Sequence, residues 1–271
     1  MVSREVRGEI MTANFSYIDR LEASISGLPA LSRKHPEAAS LLDFLVPVLE
    51  TQRKIASSPL PLSSIRDAAL PSWIASLREM AAKCAAHGTP AIIAAANRLQ
   101  NLDDKAISAV LFSFINHEEL EAAERLVVMS FLGGATAELP ALQQYDERGW
   151  LKPVCPVCGM PPVASLISDV DEIEGCRLLY CGVCHASWHF NRTTCHQCGT
   201  NDDHQFDYFH PDGDMSVVIH ACRNCMGYLK SIDMRNYSMM VPEVLDTATL
   251  SLDLYAREKG FAKVFPNMFG Y

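Results

Sequence analysis

The sequence predicts an α+β protein: an N-terminal helical bundle, two tandem four-cysteine lobes of short strands and turns, and a C-terminal helix. Three observations carry this reading. Apolar residues recur at helical spacing through the first 150 residues, nine of the ten cysteines lie between Cys155 and Cys225, and eight of those nine fall into four C-x-x-C pairs. The predicted boundaries are 1–150 for the helical domain, 151–191 and 192–232 for the two lobes, and 233–271 for the C-terminal helix and tail.

Within the helical half, a first helix is expected near 14–27. Ala38, Leu41, Leu42, Leu45 and Leu49 mark a second, with a kink expected at Pro47 because proline removes a backbone donor. Ser57 to Ser64, four serines and two prolines in eight residues, reads as a loop. Helices follow near 72–86 and 90–100, and another carries Ile107, Val110, Leu111, Phe114 and Ile115 at i, i+3, i+4, i+7 and i+8. The next is expected to start at Asn116 as N-cap, with Glu119 three residues on, and to stop at Gly133-Gly134. This half contains no paired carboxylates, nucleophile motif or phosphate-binding glycine loop, so it predicts a binding face.

The cysteine pairs are Cys155/Cys158, Cys181/Cys184, Cys195/Cys198 and Cys222/Cys225. Twenty-two residues separate Cys158 from Cys181, and twenty-three separate Cys198 from Cys222. A shift of 40 residues lays Cys155-Pro156-Val157-Cys158-Gly159 over Cys195-His196-Gln197-Cys198-Gly199, and a shift of 41 lays Cys181-Gly182-Val183-Cys184 over Cys222-Arg223-Asn224-Cys225. The apolar runs before the second pair, Leu178-Leu179-Tyr180 and Val217-Val218-Ile219, recur as well. An internal duplication is the economical explanation.

Each copy supplies two knuckles, and two facing knuckles make a tetrahedral four-thiolate cage suited to zinc or to a single iron. The duplication favours sequential cages: Cys155, Cys158, Cys181 and Cys184 on one metal, Cys195, Cys198, Cys222 and Cys225 on the other. Gly159 and Gly199 are expected to close their turns and donate an N–H to thiolate. Four protein ligands leave no open coordination position, so a catalytic metal is not predicted and no enzyme activity is expected. A redox dithiol wants one pair at a helix start in a βαβ setting, which four pairs among short strands do not offer.

Six of the nine histidines lie between His185 and His220. With the cages already complete in cysteine, His185 and His196 are expected beside them rather than as ligands. Cys176 reads as a loop cysteine without function, Asp169 to Glu174 as a solvated hairpin tip, and Trp188 as core between cage and sheet. The tail from 242 to 259 returns to helix, with Leu245, Leu252 and Tyr255 on one face packing back on the helical half.

Net charge is -9; residues 1–150 carry 14 Lys+Arg against 18 Asp+Glu, and residues 151–271 carry 9 against 14. Neither half has the basic footprint that phosphate backbones require, so nucleic acid is not an expected partner. No apolar run approaches the roughly 20 residues that span a bilayer. The first twenty residues scatter charges without an apolar core and do not read as a secretory leader, so a cytoplasmic location is expected.

The run Cys155-Pro156-Val157-Cys158-Gly159-Met160-Pro161-Pro162-Val163, with Leu179-Tyr180-Cys181-Gly182-Val183-Cys184 and Trp188-His189, resembles the FdhE family of formate dehydrogenase accessory proteins. The resemblance continues through Cys195-His196-Gln197-Cys198, Cys222 to Lys230, Leu252-Asp253-Leu254, Glu258, Gly260-Phe261 and Asn267, and more thinly in Arg20-Leu21, His35-Pro36 and Leu42-Asp43-Phe44-Leu45. It implies rubredoxin-like or zinc-ribbon lobes holding iron or zinc. It also implies a maturation factor that binds the catalytic subunit of formate dehydrogenase. A rubredoxin-type electron carrier is the alternative, and a nucleic-acid-binding zinc ribbon a more distant one.

Overall fold

A computed structural model describes residues 16–57, 62–137, 139, 149–170, 173–211 and 213–271. Several expectations therefore lie partly outside the described residues: the leader region and residues 14–15 of the first helix, Ser58 to Pro61 of the loop, and Asp171-Glu172 of the hairpin tip.

The helical half is built from α1 (Tyr17–Lys34), α2 (Ala39–Ala56), α3 (Pro71–His87), α4 (Pro90–Asn101), α5 (Asp104–Ile115) and α6 (Ala122–Ala135). Ser16 starts α1 through a capping box: its Oγ accepts from Asp19 N at 3.1 Å, and Asp19 Oδ2 accepts from Ser16 N at 2.9 Å. The helix outlasts the expected end at 27, because Leu28 and Leu31, on either side of Pro29, are buried and carry the apolar stripe on. Pro47 lies within α2, which continues through it to Ala56.

Asn116 does not open α6. It is the C-cap of α5, where its N–H bonds Phe112 O, and His117 follows at φ +64. Asparagine serves either end of a helix, and the extended stretch up to Glu121 separates the two. Nor does Gly133-Gly134 stop α6, which runs on to Ala135. The glycines are where α2 comes close: a Cβ on Gly134 would meet Gln52 O at 2.9 Å and Gln52 Cα at 3.0 Å.

The cysteine-bearing half contributes β1 (Ala164–Val170), β2 (Ile173–Tyr180), β3 (Ser187–His189), β4 (Phe206–Phe209), β5 (Val217–Cys222) and β6 (Gly227–Asp233). The duplication seen in the sequence recurs in the strands. β3-β2-β1 and β6-β5-β4 are two antiparallel triplets in the same order, each with its second knuckle at the end of its middle strand, Cys181 just after β2 and Cys222 the last residue of β5. The triplets join edge to edge, because β1 pairs with β6 in parallel through Ser165↔Ser231, Leu166↔Ile232 and Ile167↔Asp233. The two lobes thus share one sheet.

The tail is not one helix. Thr249 Oγ1 bonds Leu245 O at 2.9 Å, and the chain breaks there into α7 (Pro242–Ala248) and α8 (Leu250–Glu258). α7 packs on α1, α2 and β6, and α8 packs on β5, on the turn Pro36–Ala38 between α1 and α2, and on β7 (Ala262–Lys263), the two-residue strand added to β6. The break turns the expected face: Leu245 and Leu252 are buried, but Tyr255 is 42% exposed and meets Phe209 edge-on at 5.3 Å. One continuous apolar core runs from Leu21 through the knuckles to Met268.

Candidate metal centres

Four turns with one backbone design present the sulfurs. Gly159 N donates to Cys155 O at 3.0 Å, His185 N to Cys181 O at 3.0 Å, and Gly199 N to Cys195 O at 3.0 Å. The expected glycine-to-thiolate contact is therefore a glycine-to-carbonyl contact, and the N–H aimed at sulfur in the first knuckle comes from Val157, 3.4 Å from Cys155 Sγ. After the second cysteine of every knuckle the chain turns left-handed: Gly159 at φ +79, His185 at +63, Gly199 at +74 and Met226 at +56. Glycine takes this conformation freely; histidine and methionine do so at a cost.

The knuckles bring the sulfurs into two groups, Cys155, Cys158, Cys181 and Cys184 in one, Cys195, Cys198, Cys222 and Cys225 in the other. In each group the sulfurs all lie within 4.8 Å of one another. The closest cross-knuckle pairs are Cys155–Cys184 at 3.5 Å, Cys158–Cys181 at 3.4 Å, Cys195–Cys225 at 3.8 Å and Cys198–Cys222 at 3.7 Å. Thiolates about 2.3 Å from a central ion sit about 3.8 Å apart on the edges of a tetrahedron, so these groups fit a four-coordinate zinc or iron and are too open for disulfides. Each group can hold a metal ion.

Charge says the same. In the first group the neighbouring thiols, Cys158 foremost, hold Cys155 well below the ordinary thiol range, and burial pushes Cys181 well above it. Four thiolates packed this closely need a cation among them before all can ionise. Beside the second group sits the buried Arg177, whose Nη1 donates to Asn191 O and Thr194 O at 3.0 Å each, just ahead of Cys195. Burial lowers its pKa to about 10 against the opposing pull of Cys195.

The surroundings of the two groups differ. Cys181 and Cys184 are 0% exposed and with Cys155 belong to the continuous core, against which Cys158 packs. In the second group Cys198 is exposed and Cys225 half-buried, with Asn224 Nδ2 donating to Cys198 Sγ at 3.3 Å and Gln197 Oε1 lying 3.4 Å from Cys225 Sγ.

His185 lies outside the sulfur cage and is the hub of a polar cluster that links the halves. Its Nε2 donates to Gly133 O at 2.9 Å, its ring stacks on Tyr17 at 3.8 Å, and its Nδ1 is 2.9 Å from the Tyr180 hydroxyl and 3.3 Å from Glu243 Oε1. Tyr180 also donates to Glu243 at 3.0 Å, and Thr136 Oγ1 donates to Val183 O at 2.5 Å. Burial, with Glu243 next, raises both Tyr17 and Tyr180 well above the usual phenol value. His196 is buried in its knuckle, and burial with the nearby Arg177 lowers its pKa to about 4. Cys176 is half-buried, 3.6 Å from Ile173 O, and Trp188 is buried with Nε1 donating to Lys152 O at 2.9 Å.

Sequence reasoning missed this cluster, whose members come from four distant segments. It also missed a buried ionic knot: Lys230 of β6, 0% exposed, pairs with Asp253 and with Asp246 at 3.1 Å, and Lys263 pairs with Asp246 at 2.9 Å. A single lysine inside the strand run Gly227-Tyr228-Leu229-Lys230-Ser231-Ile232 was the available signal for the knot.

The architecture defines a class: an α+β protein whose helical half is clamped onto one sheet bearing two four-cysteine groups, each able to hold a metal ion. Residues 154–192 match the family described as FdhE, central domain, and residues 193–269 match FdhE, C-terminal domain. A protein FdhE homolog of Aquifex aeolicus is 32% identical over 270 residues, 92% of this chain and 95% of that one. Another from Stutzerimonas stutzeri is 27% identical and covers 89% and 86%. The crystal structure of the FdhE protein from Pseudomonas aeruginosa shares the fold, with a TM-score of 0.68, 20% identity and coverage of 93% and 95%. The chain belongs to the FdhE family. No helix among the described residues is long and apolar enough to cross a membrane.

Proposed function

We propose that the chain is a cytoplasmic accessory factor for formate dehydrogenase, binding the immature catalytic subunit rather than catalysing a reaction. The observation that carries this is the relationship to FdhE homologs over nearly the whole length of both chains. Cys155, Cys158, Cys181 and Cys184 then hold one ion, and Cys195, Cys198, Cys222 and Cys225 a second, iron or zinc, with each duplicated unit of 151–191 and 192–232 closing its own cage. The ions then fix the relative placement of the two facing knuckles in each group.

A nucleic-acid role finds no support in the cations of 151–232. Lys230 and Arg177 are buried and Arg223 is paired with Asp207, which leaves Lys152 and Arg192. Electron transfer is favoured by one observation, the exposure of Cys198, and would require iron at the second centre.

Deleting the gene is expected to abolish formate dehydrogenase activity while its catalytic subunit is still made. Immobilised wild-type chain is expected to retain that subunit. Full activity in the deletion strain sinks the proposal.

A further inference from the structure

We propose that the two centres have different work: the Cys155/Cys158/Cys181/Cys184 centre is a permanent brace between the helical half and the sheet, and the Cys195/Cys198/Cys222/Cys225 centre is the one that exchanges, opening at Cys198 to soft metal ions and thiol-directed electrophiles. This rests on both groups being metal centres.

The first centre is locked from outside its own coordination sphere. Cys155, Cys181 and Cys184 belong to the continuous core, and Cys158 packs against it. The knuckle Cys181–Cys184 is tied to the helices through Thr136 to Val183 O, His185 to Gly133 O and the Tyr17 stack, and to α7 through Tyr180 and Glu243. His185 takes its left-handed backbone, φ +63, in making these contacts, which accounts for a histidine where the first knuckle has glycine. Release of an ion here requires the helical half to part from the sheet.

The second centre is held from the sheet side instead, where Ala262 N donates to Met226 O at 2.9 Å and Arg177 Nη1 to Thr194 O at 3.0 Å. None of its cysteines belongs to the continuous core, and Cys198 faces solvent. The groups bonding its outer sulfurs are the knuckle-tip side chains Asn224 and Gln197, which move without disturbing the sheet. The fourth left-handed position is Met226, 43% exposed at φ +56, which puts a soft thioether at the rim. Exchange is a ligand substitution with no change of oxidation state. The Cys198 thiolate leaves the ion, a donor atom of the competitor takes the vacated position, and the remaining three thiolates follow. The freed thiolate can then attack an alkylating carbon and expel its halide.

The test uses the full chain loaded with two equivalents of zinc. It is mixed with 4-(2-pyridylazo)resorcinol and iodoacetamide, quenched at intervals, and mapped by peptide mass spectrometry. The expected result is biphasic release, the first equivalent leaving at least about tenfold faster, as local opening outpaces opening of packed core. Among the eight cage cysteines the label should appear first on Cys198 and then on Cys195, Cys222 and Cys225, with helical circular dichroism unchanged through that phase. Cys198→Ser should abolish the fast phase and retain one tightly held zinc. Release in a single phase, or labelling of Cys155, Cys158, Cys181 or Cys184 before Cys198, overturns the division of labour and leaves both metal centres standing. A chain that binds no zinc and no ferrous iron overturns the metal reading and this one with it.

Discussion

Lys230 is a buried charge held from several sides outside the cages. Its ammonium, fully buried in β6, is answered by Asp253 of α8, by the Asp246 carboxylate at 3.1 Å and by Asp246 O at 2.6 Å. Asp253 also accepts from Tyr228 at 2.7 Å, and Asp246 from Asn267 at 2.7 Å. Removing one member of a buried pair strands the other charge, at a cost of about 3–5 kcal/mol. Asp253→Ala should therefore lower the urea midpoint by that free energy, and Asp253→Asn, which keeps an acceptor for Tyr228, by less. A drop below about 1 kcal/mol for the alanine variant would show that the knot is not bearing load. Acid should test the same knot. Burial alone would raise the Asp246 carboxyl, but Lys230 and Lys263 outweigh it and hold it at about 2, below its ordinary 3.8. The carboxylate therefore stabilises the fold fully above about pH 4, and the contribution is lost as pH falls through about 2. Between those limits stability should decline less steeply in Asp246→Asn than in the parent, as read from denaturation midpoints at stepped pH. Parallel declines would sever the link to Asp246.

The crossing of α2 and α6 shows how a local rule can point the wrong way. Two consecutive glycines read as a helix stop, yet α6 runs through Gly133 and Gly134 because α2 needs the space a side chain would fill. Propensity alone predicts that Gly134→Ala stabilises by about 1 kcal/mol. The neighbour it would strike is Gln52 backbone, at 2.9 Å and 3.0 Å, and backbone inside a packed helix does not swing aside. Gly134→Ala should instead destabilise by about 1–3 kcal/mol, the usual cost of overpacking. A gain in thermal midpoint would mean the helices part easily. The same contrast separates what the sequence exposes from what it hides. The knuckles are legible because ligands two residues apart on a tight turn are a local fact, and the 40-residue repeat multiplies the signal. Helix α5 is legible because five apolar residues share a face. The parallel β1–β6 pairing joins Ser165 to Ser231, 66 positions away, and leaves no periodic mark. Asn116 carries one cap signal for two opposite meanings. The role of His185 depends on Tyr17, Gly133 and Glu243, which only the folded chain assembles.

For the whole molecule the decisive fact is that both sulfur groups feed one sheet, while the first is bonded into α6 and α7 through Gly133, Thr136 and Glu243. Side chains give a net charge of -9, and each divalent ion with four thiolates adds about -2 more, so both centres place negative charge in a molecule already acidic. Arg177, reaching from β2 toward Cys195, offsets part of this at the second centre. Stripping both ions would leave eight thiols to reprotonate, three of them inside the continuous core. Small zinc peptides gain roughly 10–16 kcal/mol apparent from their metal, and in a chain of this size each kcal/mol moves the melting temperature by about 2–4 °C. Even a fraction of that gain predicts a fall of at least about 10 °C when both ions are removed by chelation under reducing conditions. The loss should not be even. Amide exchange should quicken first at β4 and β5, the strands beside the second centre. β1, β2 and β3 should follow only when α2, α6 and α7 also lose protection, because the knuckle holding Cys181 and Cys184 is bonded into those helices through Gly133, Thr136 and Glu243. An unchanged melting temperature after verified loss of both ions would show that the core alone supports the sheet. Uniform exchange across β1 to β6 would show that the parallel joint between the lobes transmits the loss of either ion to both.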